Sequence, residues 1–135
     1  AVMKMITSVY FVGTNASGDP VLYRRGIGGG GVQDTEELVE GVETMQVLFG
    51  EDTDADGIAN RFVDASSANM DNVVSVRIGL LMRSTEEVAP EADTKTWAVA
   101  GTNVGTTGTT PIHAADRRLR YVFNTTIKIR NRGVM

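Results

Sequence analysis

The chain has 135 residues, 41% of them hydrophobic and 22% charged, which is enough for one domain with its own core. Its apolar runs, such as Leu80-Leu81-Met82, fall far short of the roughly 20 residues a membrane-spanning helix needs. Thirteen Lys and Arg against seventeen Asp and Glu leave a net charge of −4, which argues against whole-chain binding to nucleic acid, and the lack of cysteine excludes disulfides, thiolate metal sites and cysteine nucleophiles.

Fifteen glycines, many Val, Thr and Asn residues and repeated period-two alternation predict a strand-rich domain with long loops. In chain order, Val9 to Val12 reads as a strand or the end of a helix, and Gly13 to Asp19 as a loop. Val21 to Arg24 reads as a short strand begun by Pro20, where a missing amide is tolerated, and Arg25 to Val32 as a glycine-rich loop. Between Asp34 and Phe49 two patterns compete. Leu38, Val42, Met45 and Phe49 keep helical spacing and Asp34 with Glu37 fits a capping box, whereas Met45, Val47 and Phe49 alternate. Gly41, which costs about 1 kcal/mol in a helix interior, favours a short turn or helical piece near Glu36 followed by a strand from Val42 to Phe49.

Glu51 to Ala59 reads as a loop, and Val73 to Arg83 as a strand with Val74, Val76, Ile78, Leu80 and Met82 inward. A loop from Thr85 to Thr94, a short strand from Thr96 to Ala100 around the single tryptophan, and a Thr- and Gly-rich loop from Gly101 to Pro111 follow. In the strand from Leu119 to Asn131, Tyr121, Phe123, Thr125, Ile127 and Ile129 are assigned to the core. Arg118, Arg120, Lys128, Arg130 and Arg132 are assigned to a solvated face. Phe123→Ala is then expected to cost about 3 to 5 kcal/mol.

Few residues carry chemistry. Gly26, Gly28 and Gly31 match G-x-G-x-x-G formally, but a run of four glycines satisfies that pattern by accident and no βαβ alternation follows, so no dinucleotide site is expected. His113, the only histidine, sits in a polar loop and reads as an exposed loop residue, and no nucleophile elbow is present. The informative stretch is EDTDADGIANRFVD, Glu51 to Asp64. Asp52, Asp54 and Asp56 are spaced by two ahead of Gly57, the Ile58 carbonyl follows, and Asn60 or Asp64 can complete an oxygen shell for calcium. Val63 stands where an EF-hand has its bidentate glutamate, so the stretch fits equally a solvated acidic hairpin. Charge is uneven: residues 34–64 hold ten acidic residues and one basic, net −9, and residues 116–135 six basic and one acidic, net +5.

Taken together, PVLYRR, ELVEGVETMQVLFGEDTDADGIANRFVDA, NVVSVRIGLLMRS and DRRLRYVFNTTIKIRNR resemble the PilW family of type IV pilus minor pilins over most of the chain. The resemblance implies an α+β, mainly β fold, a pilin-like antiparallel sheet forming one globular domain over residues 1–135. It also implies a non-enzymatic role in pilus assembly, in a priming or tip complex, with other minor and major pilins and a tip adhesin as partners. The location it implies is the periplasm and inner membrane before assembly and the extracellular pilus afterwards. The long N-terminal helix of such proteins is missing from this sequence, so the chain is expected to be a trimmed head with an apolar patch where that helix docks, near the N-terminal segment and the strand from Val73 to Met82. A calcium-binding module of unrelated role, or a hydrolase using His113 or paired carboxylates, are the alternatives.

Overall fold

β-Branched and aromatic residues at alternate positions favour extended backbone. The computed structural model, described for residues 6–27 and 34–130, is accordingly almost all antiparallel sheet. Strands β1 (Thr7–Thr14), β2 (Pro20–Ile27) and β3 (Thr35–Glu40) pair in that order. A second sheet is ordered β5-β4-β6-β9, from β4 (Val42–Glu51), β5 (Arg61–Val63), β6 (Val73–Glu87) and β9 (Arg118–Lys128). β7 (Trp97–Val99) and β8 (Thr102–Val104) form a small hairpin. Among the described residues the helical content is a single 3-10 turn, Met70–Asn72, capped by the Asn69 side chain, which accepts from the Asp71 N–H. The glycine run, Asn131 and Arg132 lie outside the described residues.

The two larger sheets meet at Gly41. Its φ of 88° is a left-handed conformation, and a Cβ there would stand 2.6 Å from the Arg83 carbonyl oxygen. The Gly41 N–H donates to Pro20 O at 2.7 Å and its carbonyl accepts from the Arg83 N–H at 2.8 Å. Val21 and Val42 beside it are fully buried. The helical piece expected near Glu36 is therefore corrected to a strand. Residues of β3 are all exposed, and they are held by pairing with β2, by an Arg24–Glu36 ion pair of 2.6 Å and by the Tyr23 hydroxyl donating to Glu37 at 3.2 Å. Cross-strand pairing outweighs the helical spacing because Gly41 already ends any helix.

Register fixes the two faces of the four-stranded sheet. Thr44, Leu81 and Val122 share one face; Met45, Leu80 and Phe123 form a row on the other. The β7–β8 hairpin covers the first. Leu81, Val99 and Val104 are fully buried there, with Trp97 and Val122 packed against them, and the Ala100 N–H donates to Asn124 Oδ1 at 2.8 Å. The assignment of the β9 faces is thus reversed, and in β6 the row Val76, Ile78, Leu80 and Met82, expected inward, lies on the open face while Leu81 takes the core position. Arg120 is 8% exposed and Val122 half-buried, whereas Tyr121, Phe123 and Ile127 are 63%, 56% and 52% exposed. Alternation says which residues share a face; which face is covered is decided by a hairpin from elsewhere in the chain.

Arg120, assigned to a solvated surface, instead centres a buried ionic cluster. Its Nε and Nη2 donate to the two carboxylate oxygens of Glu43 at 2.8 and 3.0 Å, and its Nη1 meets Asp116 at 2.9 Å and Asp93 at 3.4 Å. Asp93 also accepts from Trp97 Nε1 at 3.0 Å, and Arg83 joins Glu43 to Asp19 at 3.6 Å each. This cluster ties the loop after β6, the β1–β2 turn and β9 to the covered face.

Candidate functional site

The open face of the four-stranded sheet carries apolar side chains that internal packing leaves exposed. Three rows cross β4, β6 and β9: Met45, Leu80 and Phe123; Val47, Ile78 and Thr125; Phe49, Val76 and Ile127, with Met82 opposite Tyr121 beside them. The β4 and β6 members are half-buried by their neighbours in the sheet, and the β9 members Phe123 and Ile127 are more than half exposed. The Tyr121 and Phe123 rings lean together, centroids 4.7 Å apart. An antiparallel sheet ordinarily turns a polar face to water, so apolar residues on both faces mark a sheet built to be covered on both. An apolar patch was expected near the N-terminal segment and the strand from Val73 to Met82; this face joins β6 to β4 and to the aromatic residues of β9, whose alternation had assigned them to the core, while β1 pairs with β2 in the other sheet.

Across the sheet edge, the aspartate loop lies between β4 and β5. Glu51 is buried at its base, accepting from the Asn69 N–H at 2.5 Å and pairing with Arg61 at 3.3 Å. Asp52, Asp54 and Asp56 converge, their nearest carboxylate oxygens all within 4.8 Å of one another. Gly57, at φ 85°, turns the chain and donates its N–H to Asp52 Oδ2 at 2.7 Å. Asp52's carboxyl, although its partial desolvation works the other way, is held below the usual range by N–H groups of Gly57, Ala55 and Asp54. Of the remaining proposed ligands, Ile58 donates its N–H to Asp56 at 2.8 Å, and Asn60 Oδ1 accepts from the Thr53 N–H and hydroxyl at 3.2 and 3.0 Å. Asp64 stands outside the convergent trio and accepts from Ser66 and Ser67 in a turn of its own.

His113 is corrected from an exposed residue to a buried one, 4% exposed. Its Nε2 lies 2.7 Å from Lys95 O and its Nδ1 2.9 Å from Ala114 O. With both ring nitrogens against main-chain carbonyls, the ring ties the β8–β9 connection to the segment before β7. No residue pattern in the sequence marks that role, because the carbonyls come from the fold.

The chain is a mainly β domain with an apolar surface on one face of its four-stranded sheet. Residues 9–131 match the protein family described as PilW, Type IV Pilus-assembly protein W, and the chain belongs to that family. Its role is therefore related to type IV pilus assembly. No curated protein and no solved structure matches the chain.

Proposed function

We propose that the chain is the globular head of a minor pilin and that its open β4–β6–β9 face seats the long N-terminal helix of a pilin subunit. The observation that supports this is the apolar row of half-buried Met45 and Leu80 and exposed Phe123, on the face opposite the β7–β8 hairpin. Such a head acts without chemistry of its own. It joins other minor and major pilins, and a tip adhesin, through its surfaces. Membrane attachment before assembly, and place in the filament afterwards, come from the helix it carries; among the described residues no helix is long and apolar enough to cross a membrane. The test is deletion of the gene in its own bacterium, with surface pili counted by electron microscopy. A large loss of pili, restored by the parent gene and not by one carrying Phe123→Asp, is expected. Undiminished piliation in the deletion strain contradicts the reading.

A second reading concerns the aspartate loop, favoured by the convergence of its three carboxylates. Calcium held by Asp52, Asp54 and Asp56, with the Ile58 carbonyl and Asn60 or Asp64 completing the shell, relieves their mutual repulsion and fixes the turn. A shell without the twelfth-position glutamate binds weakly, with a dissociation constant on the order of 10⁻⁴ to 10⁻³ M. At ten times that constant, RT ln(1 + 10) gives about 1.4 kcal/mol of added stability. Melting curves with millimolar calcium or with chelator are expected to differ for the parent and to coincide for Asp54→Ala. A parent midpoint that ignores calcium leaves the loop an acidic turn.

A further inference from the structure

Among the described residues β1, β3, β5 and β9 stand at the edges of the two larger sheets, and an edge strand offers its outward N–H and C=O groups to any extended chain. Three of the four are guarded. β3 carries Glu36, Glu37 and Glu40 and a bulge in its pairing with β2, β5 is three residues long, and β9 carries Arg118, Arg120 and Lys128. β1 has none of these devices. Its eight residues, TSVYFVGT, hold no charge and no proline, and they pair with β2 in unbroken register from Thr7 opposite Ile27 to Thr14 opposite Pro20. Val9 and Tyr10, which point to opposite faces of the sheet, are both exposed.

The hairpin that joins β1 to β2 sets which main-chain groups of β1 face outward. Asn15 donates its N–H to Asp19 O at 2.9 Å, so the bonded pairs of the ladder continue at Gly13, Phe11, Val9 and Thr7. Ser8, Tyr10, Val12 and Thr14 then turn their N–H and C=O groups away from β2. Pro20 agrees, since it stands opposite Thr14 without an N–H and its carbonyl accepts from the Gly41 N–H on the β3 side. A two-fold axis at Phe11 sets Ser8 opposite Thr14 and Tyr10 opposite Val12 of a second copy, so all four outward residues find main-chain partners. The same axis brings the two Phe11 rings together, each already stacked on its own Tyr23 with centroids 5.3 Å apart, as one aromatic row across the seam. An uncharged strand lies against itself without opposing like charges, which the glutamates of β3 and the cations of β9 do not allow. We propose that β1 pairs antiparallel with β1 of a second copy about an axis at Phe11, so that two three-stranded sheets become one continuous sheet. The seam lies on the other sheet from the open apolar face, so the inference stands apart from the pilin reading.

Sedimentation velocity of the chain across a concentration series reads the association directly. A seam of two strands falls at the small end of specific interfaces, so a reversible dimer with a dissociation constant on the order of 10⁻⁴ M is expected. Tyr10→Pro removes an outward N–H and leaves the ladder to β2 intact, and Tyr10→Lys places a charge on the seam. Each should weaken the dimer about tenfold or more, with the lysine variant keeping the parent's far-ultraviolet spectrum. The register has its own test, because the chain has no cysteine of its own. Under mild oxidation Phe11→Cys should give a disulfide-linked dimer several-fold faster than Tyr10→Cys, since only residue 11 faces its own copy across the axis. A chain that stays monomeric up to about 1 mM, a dimer that tolerates both Tyr10 variants, or crosslinking no faster at position 11 than at position 10 overturns the proposal.

Discussion

A guanidinium with no solvent exposure needs its N–H groups answered, and Arg120 is answered by Glu43, Asp93 and Asp116 from three separate segments. Removing one member of such a cluster leaves charge buried without its partner, which costs about 3 to 5 kcal/mol. Arg120→Ala should therefore lower the unfolding free energy by that amount in urea titrations, and Arg120→Lys should recover only part of it, because a single ammonium does not reproduce the two-pronged contact with Glu43. The same cluster sets the acid limit of the fold. Burial opposes ionisation of Asp93 and Asp116, yet hydrogen bonds outweigh it and hold both carboxyls below the ordinary range: from the Lys95 N–H and Trp97 to Asp93, and from Arg120 and the Arg118 N–H to Asp116. Groups depressed in the folded state stabilise it above their unfolded pKa of about 3.9, and that stability is lost as pH falls through their folded values. The melting midpoint should accordingly hold steady from neutral pH down to about 5 and fall below about 4. Asp116→Asn should flatten that fall at the expense of a lower midpoint at neutral pH.

At the scale of elements, β9 carries two unlike surfaces on one strand. Its covered side reaches Leu81 and the hairpin, and its open side carries Tyr121, Phe123 and Ile127. Leu81→Ala should cost about 2 to 5 kcal/mol, as for any fully buried leucine. Phe123→Ala should cost the isolated chain about 1 kcal/mol or less, since the ring is more than half exposed. Equal losses for the two variants, measured by denaturant unfolding, would restore the opposite assignment of faces. The strands β4, β6 and β9 were legible because their alternation is long and rich in β-branched residues. Where the hairpin lands was not legible: β7 and β8 are three residues each, and their burial comes from Trp97, Val99 and Val104 packing on a strand distant in the chain. β3 was misread because Leu38, Val42, Met45 and Phe49 keep helical spacing and Asp34 with Glu37 fits a capping box, while the pairing with β2 that makes it a strand is a tertiary fact. The convergence of Asp52, Asp54 and Asp56 was legible from spacing alone.

At the scale of the whole molecule, the hairpin side of the sheet holds the core and the ionic cluster, and the other side holds an apolar surface on which Tyr121, Phe123 and Ile127 are more than half exposed. Membership of the pilus-assembly family implies interaction with other pilus components, and an exposed apolar face is the kind of surface such an interaction uses. The most direct measurement is a crosslink from the open face. A photoreactive phenylalanine analogue placed at Phe123 in the gene as the bacterium carries it, with Lys128 as the control position on the opposite face, is illuminated in piliated cells and the products are mapped by mass spectrometry. The account predicts that position 123 joins an apolar pilin-type helix and that position 128 does not. A label at position 123 that reacts only with solvent, or that gives the same products as position 128, would contradict it.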